Sequence, residues 1–356
     1  MLWVASFLPL PVMYLVTDVL FVILFYGVRY RRKIVDMNLR NSFPEKSEEE
    51  RRQIARKYYR HLCDTFAEFY KLWHISEKEL KKRCVMVNMD VPHRYFEQGR
   101  SVIAFSGHYG NWEMMYSYKL WEKDIELIPI YKPIHNKVFD RMTCKIRGRF
   151  GATPLAKADT LRVMLKNQQE GKITMTGFIG DQTPNKHSLN FWTRFLNQDT
   201  AVLEGTEKIA RKLNQPVVFV NMRKVKRGYY HAEFYDLCSD PKSLEPGELT
   251  RMHIQMLERF IREEPAYWLW SHRRWKHKRV VVAEKNPGLK SWIFYEVMSQ
   301  HYFIASSIET ATATVAPTIG LLPIPRNPII STCAGTEDEP ANWASPCIRP
   351  SVSVNP

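Results

Sequence analysis

The chain has 356 residues, 45% of them hydrophobic, and a formal net charge of +15 at pH 7. Residues 286–356 contain two more acidic than basic residues, so residues 1–285 carry +17. Such a surface favours anionic partners, and charge alone does not choose among nucleic acid, acidic lipid and acidic protein. The six cysteines show no paired spacing, which argues against a zinc site and a disulfide framework.

The N-terminus carries a long apolar run. From residue 2 to residue 28 the only charged residue is Asp18, and the basic segment Arg29 to Lys33 follows at once. About 20 apolar residues can span a bilayer, and basic residues beside such a run mark its cytoplasmic side. We therefore expect residues 1–28 to be a membrane segment, with the rest of the chain in the cytoplasm. Pro9 and Pro11 can break the helix early, so a shallow interfacial segment is the alternative.

Hydrophobic spacing then predicts the remaining elements. A connector at 37–44 precedes an amphipathic helix at 51–73, and strands alternate with helices from residue 101 onward. Strands are predicted at 101–106, 125–131, 172–179, 216–222 and 229–235, and helices at 112–120, 136–150, 159–169, 202–213 and 248–262. This alternation predicts an α/β layer architecture for residues 29–285. Residues 286–356 are atypical: prolines and small polar residues dominate their end, which predicts a poorly ordered tail.

The strongest motif is Ser106-Gly-His-Tyr-Gly-Asn-Trp-Glu113, directly after a predicted strand. If Gly107 and Gly110 permit a tight turn, Glu113 can hold one ring nitrogen of His108. The other nitrogen is then free to take a proton from an attacking hydroxyl of the substrate. The alternative is a structural His–Glu hydrogen bond at a strand end. The sequence lacks the G-x-S-x-G, Walker A, G-x-G-x-x-G and H-E-x-x-H motifs. Their absence argues against a serine hydrolase, an NTPase, a dinucleotide enzyme and a zinc protease.

The motif H-x4-E at His108 and Glu113 is the first of five segments that point to one family. The others are Tyr30-Arg-Arg-Lys33 with Asn38 to Pro44, Tyr131-Lys-Pro133 with Asn136 and Asp140, Gly180-Asp-Gln182, and Tyr267-Trp-Leu-Trp-Ser-His-Arg-Arg-Trp-Lys276. Over residues 29–280 the chain resembles the lipid A biosynthesis late acyltransferases, the lauroyl and myristoyl transferases of the lysophospholipid acyltransferase superfamily. Lys132 stands where the family usually has Arg.

The resemblance implies a fold, a reaction and a location. The fold would be a three-layer αβα sandwich of the glycerol-phosphate acyltransferase type with an N-terminal membrane helix. The donor would be acyl carrier protein bearing a fatty acyl thioester, and the acceptor a hydroxyl of a lipid A precursor. No cofactor, metal or nucleic acid is implied. The place would be the inner membrane, with the catalytic domain facing the cytoplasm.

Further candidate residues surround the motif. Arg147, favoured slightly over Arg149, could clamp a phosphate or stabilise an oxyanion, and Asp181 could orient the acceptor or pair with the arginine. Lys132 is a further candidate for binding substrate. The basic-aromatic cluster, defined as Arg273, Arg274 and Lys276 with His272 and the neighbouring tryptophans, could hold the carrier protein or an anionic headgroup, or lie at the membrane surface. The alternatives are a solvated basic face for the arginines and a turn cap for Asp181.

Three other functions remain open from the sequence. One is acylation of another membrane lipid, such as an aminolipid or a phosphoglycolipid. The second is lipid hydrolysis, in which the same His–Glu pair would activate water. The third is a non-enzymatic lipid-binding protein, which would not depend on His108.

Overall fold

The computed structural model describes residues 2–279 and centres on a seven-stranded sheet in the order β1-β9-β8-β2-β5-β3-β4. Neighbouring strands are parallel except for the antiparallel pair β8–β9. A separate antiparallel pair is formed by β6 and β7. The strands are β1 Cys84–Val87, β2 Val102–Ser106, β3 Glu126–Tyr131, β4 Leu155–Ala156, β5 Thr174–Ile179, β6 Phe191–Phe195, β7 Gln198–Val202, β8 Val217–Lys226 and β9 Tyr229–Cys238. The prediction of a mixed α/β fold is confirmed.

Ten α-helices accompany the sheets in the described part of the chain. They are α1 Leu2–Ala5, α2 Leu10–Val22, α3 Arg32–Ser42, α4 Glu48–Lys71, α5 Glu77–Arg83, α6 Asp90–Phe96, α7 Lys137–Gly148, α8 Thr160–Gln169, α9 Gly205–Leu213 and α10 Glu248–Glu263. A π-helical turn, Ile23–Gly27, extends α2, and short 3-10 segments include Trp112–Leu120.

Helices cover both faces of the central sheet, as the alternation of side chains along β2 shows. Ile103 and Phe105 pack into one buried cluster with side chains of α3, α4, α9 and α10. Val102 and Ala104 point the other way, into a second cluster with α5 and the 3-10 segment Trp112–Leu120. Because successive side chains of a strand face opposite sides, a strand buried on both faces is continuously apolar. This explains why residues 102–105 of β2 are all apolar.

The longest helix, α4, begins with a reciprocal cap. The Ser47 hydroxyl accepts a hydrogen bond from the backbone N–H of Glu50, and the Glu50 carboxylate accepts one from the backbone N–H of Ser47. Such a capping box satisfies two backbone donors that have no partner within the helix. The amphipathic helix predicted at 51–73 is therefore confirmed, with its start three residues earlier.

Some predicted elements differ from the structure. The connector expected at 37–44 was wrong: most of it belongs to α3, which buries Val35 and Leu39 at a four-residue spacing within a polar sequence. The segment at 112–120 is a 3-10 helix rather than an α-helix. Strand β1, only four residues long, is too short to show a period and was missed. The expected tail at 286–356 lies outside the described residues, as do residues 280–285.

The apolar N-terminal run forms a helix that is long and apolar enough to cross a membrane. Its 18-residue window Leu10–Gly27 has a mean hydropathy of 2.0, and 28% of that window is buried. Pro9 is the residue before the first turn and Pro11 lies within that turn, where a missing N–H costs no helical hydrogen bond. The prolines therefore begin this helix and do not interrupt it.

Candidate active site

The site begins where two adjacent parallel strands end. Ser106, the last residue of β2, pairs with Ile179, the last residue of β5. A glycine follows each strand, and then a polar residue: His108 after β2 and Asp181 after β5. Because the carboxyl ends of parallel strands meet at one edge of the sheet, the two side chains lie side by side.

The His108 ring is held by Asp181. The Nδ1 atom lies 2.6 Å from Oδ1 of Asp181, and the backbone N–H of His108 donates to Oδ2 at 2.9 Å. The indole N–H of Trp268 donates to the same Oδ2 at 2.8 Å, and Asp181 is 2% exposed. A carboxylate only accepts hydrogen bonds, so Nδ1 carries the proton and Nε2 is left as an acceptor.

The expectation that Glu113 would hold the imidazole was wrong. Glu113 instead accepts two hydrogen bonds from the guanidinium of Arg147, at 2.6 and 3.0 Å, and one from the indole N–H of Trp112 at 3.2 Å. The physical reason lies in two elements. The 3-10 segment Trp112–Leu120 places Glu113 within reach of Arg147 on α7, and β5 brings Asp181 to the Nδ1 atom that Glu113 was expected to occupy.

Burial and charge act in opposite directions on this pair. Burial alone lowers the pKa of His108, but the charge and hydrogen bond of Asp181 outweigh it and leave that pKa above its ordinary value. Burial alone raises the pKa of Asp181, but the imidazolium charge and three donated hydrogen bonds hold it well below its usual range. The arrangement therefore strengthens His108 as a base while Asp181 remains ionised.

Arg147 keeps its charge in the same setting. Burial lowers its pKa, but Tyr116 and Glu113 outweigh that effect and the pKa is raised. Its paired hydrogen bonds to Glu113 fix the plane of the guanidinium, and the side chain is 18% exposed. A fixed cation at this place can attract a phosphate or a developing oxyanion.

A cavity of about 370 Å³ adjoins these groups. His108, Arg147 and the exposed Lys132, which directly follows β3 at the same edge of the sheet, supply its polar side. Apolar side chains supply much of the rest, among them Ile130, Phe178, Ile179, Leu203 and Ile209. The free Nε2 of His108 lies 3.4 Å from the side-chain nitrogen of Gln182, which also lines the cavity. The cavity can therefore bring an apolar chain and a polar group to one imidazole.

Two other predicted residues do not take the places expected of them: Arg149 lies outside this cavity, and Arg274 is buried. Arg149 donates to the carbonyl of Leu72 at 2.6 Å and does not line the cavity. Arg274 is 1% exposed, so its expected place on a docking surface was wrong. Its sequence neighbours Trp268, Trp270 and Trp275 are buried as well. Arg273 and Lys276 are exposed, as a docking surface requires.

A larger cleft of about 630 Å³ lies elsewhere, between α3 and the β6–β7 turn, and includes none of the residues predicted for the site. Sequence reasoning missed the contact between Trp268 and Asp181. It also missed the pairing of His108 with Asp181, although the repeated order of apolar strand, glycine and polar residue at 102–108 and 174–181 was a usable signal.

Comparisons with known proteins agree over nearly all of the described chain. The family described as Bacterial lipid A biosynthesis acyltransferase matches residues 1–277. The lipid A biosynthesis lauroyltransferase of Escherichia coli (strain K12) is 26% identical over 278 residues, which cover 77% of this chain and 89% of the relative. The palmitoleoyltransferase of the same organism is 22% identical over 283 residues, or 78% and 90% of the two chains. A lipid A biosynthesis acyltransferase of Haemophilus influenzae is 22% identical over 248 residues, or 69% and 76%.

These matches identify the protein as an acyltransferase. It belongs to the bacterial lipid A biosynthesis acyltransferase family, as the resemblance in its sequence indicated.

Proposed function

We propose that this protein transfers a fatty acyl chain from the thioester of acyl carrier protein to a hydroxyl of a lipid A precursor, a secondary acylation. The observation that carries the proposal is the His108 imidazole, held by Asp181 with Nε2 beside a cavity that has both an apolar and a basic side. The printed names of the relatives, lauroyltransferase and palmitoleoyltransferase of lipid A biosynthesis, support the substrate class.

The proposed reaction needs one base and one good leaving group. Nε2 of His108 takes the proton of the acceptor hydroxyl as its oxygen attacks the thioester carbonyl carbon. The C–S bond then breaks, the acyl chain stays on the acceptor oxygen, and the thiolate leaves and takes up the proton held by His108. Asp181 stabilises the imidazolium formed in between. Arg147, held by Glu113, stabilises the oxyanion or binds a phosphate of the acceptor.

The structure supports a changed role for Glu113. In this proposal Glu113 acts on Arg147, and Asp181 takes the place on His108 that the sequence had given to Glu113. Lys132 at the cavity is a second cation available to an acceptor phosphate. Arg149, which bonds a carbonyl outside the cavity, takes no part in the step.

The wider setting is proposed with the reaction. The fold is a three-layer αβα sandwich of the glycerol-phosphate acyltransferase type, which helices on both faces of a mostly parallel sheet support. The enzyme sits at the inner membrane with its catalytic domain facing the cytoplasm, which the apolar run and the basic segment after it support.

A transfer assay tests the reaction directly. Purified enzyme, a labelled acyl thioester of acyl carrier protein and a lipid A precursor should give a precursor bearing one more acyl chain. Release of free fatty acid with the acceptor present would make the protein a hydrolase instead. Acylation of an aminolipid or a phosphoglycolipid, with the lipid A precursor untouched, would contradict the proposed acceptor.

Replacing Glu113 by alanine should lower turnover at least about 100-fold, because the substitution leaves a largely buried guanidinium unpaired and free to turn. Since Glu113 does not contact Nδ1, the pH at which His108 titrates should move less than in a variant at Asp181. Steady-state rates across pH measure both effects. A folded Glu113→Ala variant with more than about a tenth of wild-type turnover would refute this role.

Turnover should not require a metal ion or a cofactor, because His108 supplies the base and a thiolate leaves readily. We expect equal rates before and after dialysis against EDTA. Loss of activity that one divalent ion restores would contradict the prediction.

Exposed basic residues should steer the acidic carrier protein. Reversing Arg273 and Lys276 to glutamate is expected to raise the apparent KM for the donor about 10-fold at low salt and leave the maximal rate nearly unchanged. Added salt should weaken wild-type donor binding in the same way, because ions screen exposed charges. Arg274 is left out because a buried glutamate there would disturb folding.

The matched control reverses Lys212 and Lys242, two exposed lysines near the opposite edge of the sheet, with the same change in charge. If neither salt nor either pair of reversals changes the affinity for the donor, the basic residues would serve to bind the membrane or the phosphates of the acceptor instead.

A further inference from the structure

The N-terminal apolar helix is docked on α4 along its whole length. Just before this helix the Ser6 hydroxyl lies 2.6 Å from Nδ1 of His74, which follows the end of α4. Within the helix the Thr17 hydroxyl donates to Asp64 of α4 at 2.9 Å. At its far end the ring of Phe25 packs edge-on against Tyr59, with centroids 5.4 Å apart. The two helices thus run antiparallel, and one face of the N-terminal helix packs against α4.

The single acidic residue of the apolar run is part of this docking. Asp18 accepts hydrogen bonds at 2.9 and 3.0 Å from Arg227, which lies in the turn between β8 and β9. The same guanidinium donates to Asp64 of α4 at 2.7 and 3.0 Å. The ion pair with Arg227 therefore explains why an acidic residue lies within an otherwise apolar run.

Between these contacts lies a buried carboxylate. Glu68 of α4 is 0% exposed and accepts three hydrogen bonds: from Tyr14 of α2 at 2.8 Å, from Tyr230 at 2.8 Å and from the Asn111 amide at 2.7 Å. Burial raises the pKa of Glu68, while the charge of Lys224 and the three donors act against that effect. A buried acid satisfied in this way holds its donors in fixed positions.

Asn111 joins this network to the catalytic loop, defined as residues 107–113. It lies between His108 and Glu113 and is itself 0% exposed. The preceding carbonyl, that of Gly110, lies 3.1 Å from Nε2 of His61, another residue of α4. Gly110 has a φ of +60°, and a Cβ there would lie 1.9 Å from the carbonyl oxygen of Met222. Two residues of α4 therefore contact the loop, and the backbone of Met222 leaves Gly110 little room to shift.

Among residues 2–279, the opposite face of the N-terminal helix makes no contact of this kind and is largely exposed. Its apolar side chains are 41–68% exposed, namely Val12, Leu15, Val16, Val19 and Val22. The basic segment Arg29 to Lys33 follows directly. An apolar face next to basic residues fits the acyl chains and anionic headgroups of a lipid surface.

We propose that the two faces of the N-terminal helix have separate roles: the outward face contacts membrane lipid, and the inward face positions the catalytic loop through Tyr14, Glu68 and Asn111. The three residues are positioning residues, since none of them lines the cavity beside His108. The effect on turnover rests on the proposed acyl transfer, whereas the effect on the loop does not.

The test compares Tyr14→Phe with Tyr26→Phe, the same substitution at an exposed tyrosine of the same apolar run. In detergent micelles, where membrane attachment does not limit the reaction, Tyr14→Phe should lower kcat about 10-fold with the donor KM unchanged, because small displacements of catalytic groups are costly. Backbone amides of residues 107–113 should exchange hydrogen for deuterium faster in Tyr14→Phe than in Tyr26→Phe. Both variants should sediment with phosphatidylethanolamine and phosphatidylglycerol vesicles as the wild type does.

Asn111→Ala removes the other hydrogen bond of the series Tyr14–Glu68–Asn111, the one between Asn111 and Glu68. The double variant Tyr14→Phe/Asn111→Ala should show little more loop exchange than Asn111→Ala alone, since coupled residues are not additive. Leu15→Asn with Val19→Asn, on the outward face, should reduce sedimentation with the vesicles.

Tyr14→Phe with the kcat and loop exchange of Tyr26→Phe would overturn the positioning role. Unchanged vesicle binding by the Leu15→Asn/Val19→Asn variant would overturn the membrane role of the outward face. A wild type that transfers no acyl chain would count against the proposed function alone, because loop exchange still decides the inference.

Discussion

Replacing His108 by alanine is expected to lower turnover at least about 100-fold, the usual scale for loss of a general base. The imidazole is the group whose Nε2 faces the cavity, with Nδ1 fixed by Asp181 at 2.6 Å. Folding should survive, because the residue follows the end of β2 and its side chain contributes little to the two apolar clusters. Initial rates at saturating donor and acceptor measure the loss.

His187→Ala is the matched control for this variant. His187 is exposed and does not line the cavity, so its rate should equal that of the wild type. A folded His108→Ala variant that keeps more than about a tenth of wild-type turnover would exclude His108 as the base.

The second large effect is expected at Asp181. Asp181→Asn keeps the shape of the side chain but removes the charge that stabilises the imidazolium, and it can present an N–H to Nδ1 and so favour the wrong tautomer. We expect a loss of at least about 100-fold. The geometry that supports this expectation is the set of three donors on Asp181, from the His108 ring, the His108 backbone and Trp268.

The same variant should change the pH dependence in a defined direction. The reactive form of His108 is neutral, so the rate rises with pH through its pKa, which in the wild type lies above the ordinary value of 6.5. Without the charge of Asp181, burial lowers that pKa, and the rising limb of kcat/KM should move to lower pH. A limb that stays in place, or moves to higher pH, would contradict the role given to Asp181.

The sequence predicted which residues lie in the candidate site but not how they pair. The strand just before His108 and the Gly-Asp-Gln turn at Asp181 were both predicted from local patterns. Their contact depends on the register of β2 against β5, which joins positions 73 residues apart and leaves no local trace. Glu113 was assigned to His108 because it is near in sequence, although the 3-10 segment Trp112–Leu120 places it on Arg147.

Burial was a second quantity that local sequence did not reveal. Arg273, Arg274 and Lys276 look alike as basic residues among tryptophans, yet Arg274 alone is buried. Likewise, Asp18 stood out as an acid in an apolar run, but its partner Arg227 is 209 residues away. The long amphipathic helix α4 and the buried strands were predictable because their periodicity is local.

Mass spectrometry of lipid A from cells with and without this gene tests the central claim most directly. Cells lacking the gene should yield lipid A that is missing one secondary acyl chain. The wild-type gene should restore that chain, and the His108→Ala gene should not. Lipid A of identical mass in both strains would contradict the proposed acceptor, and restoration by the His108→Ala gene would contradict the proposed base.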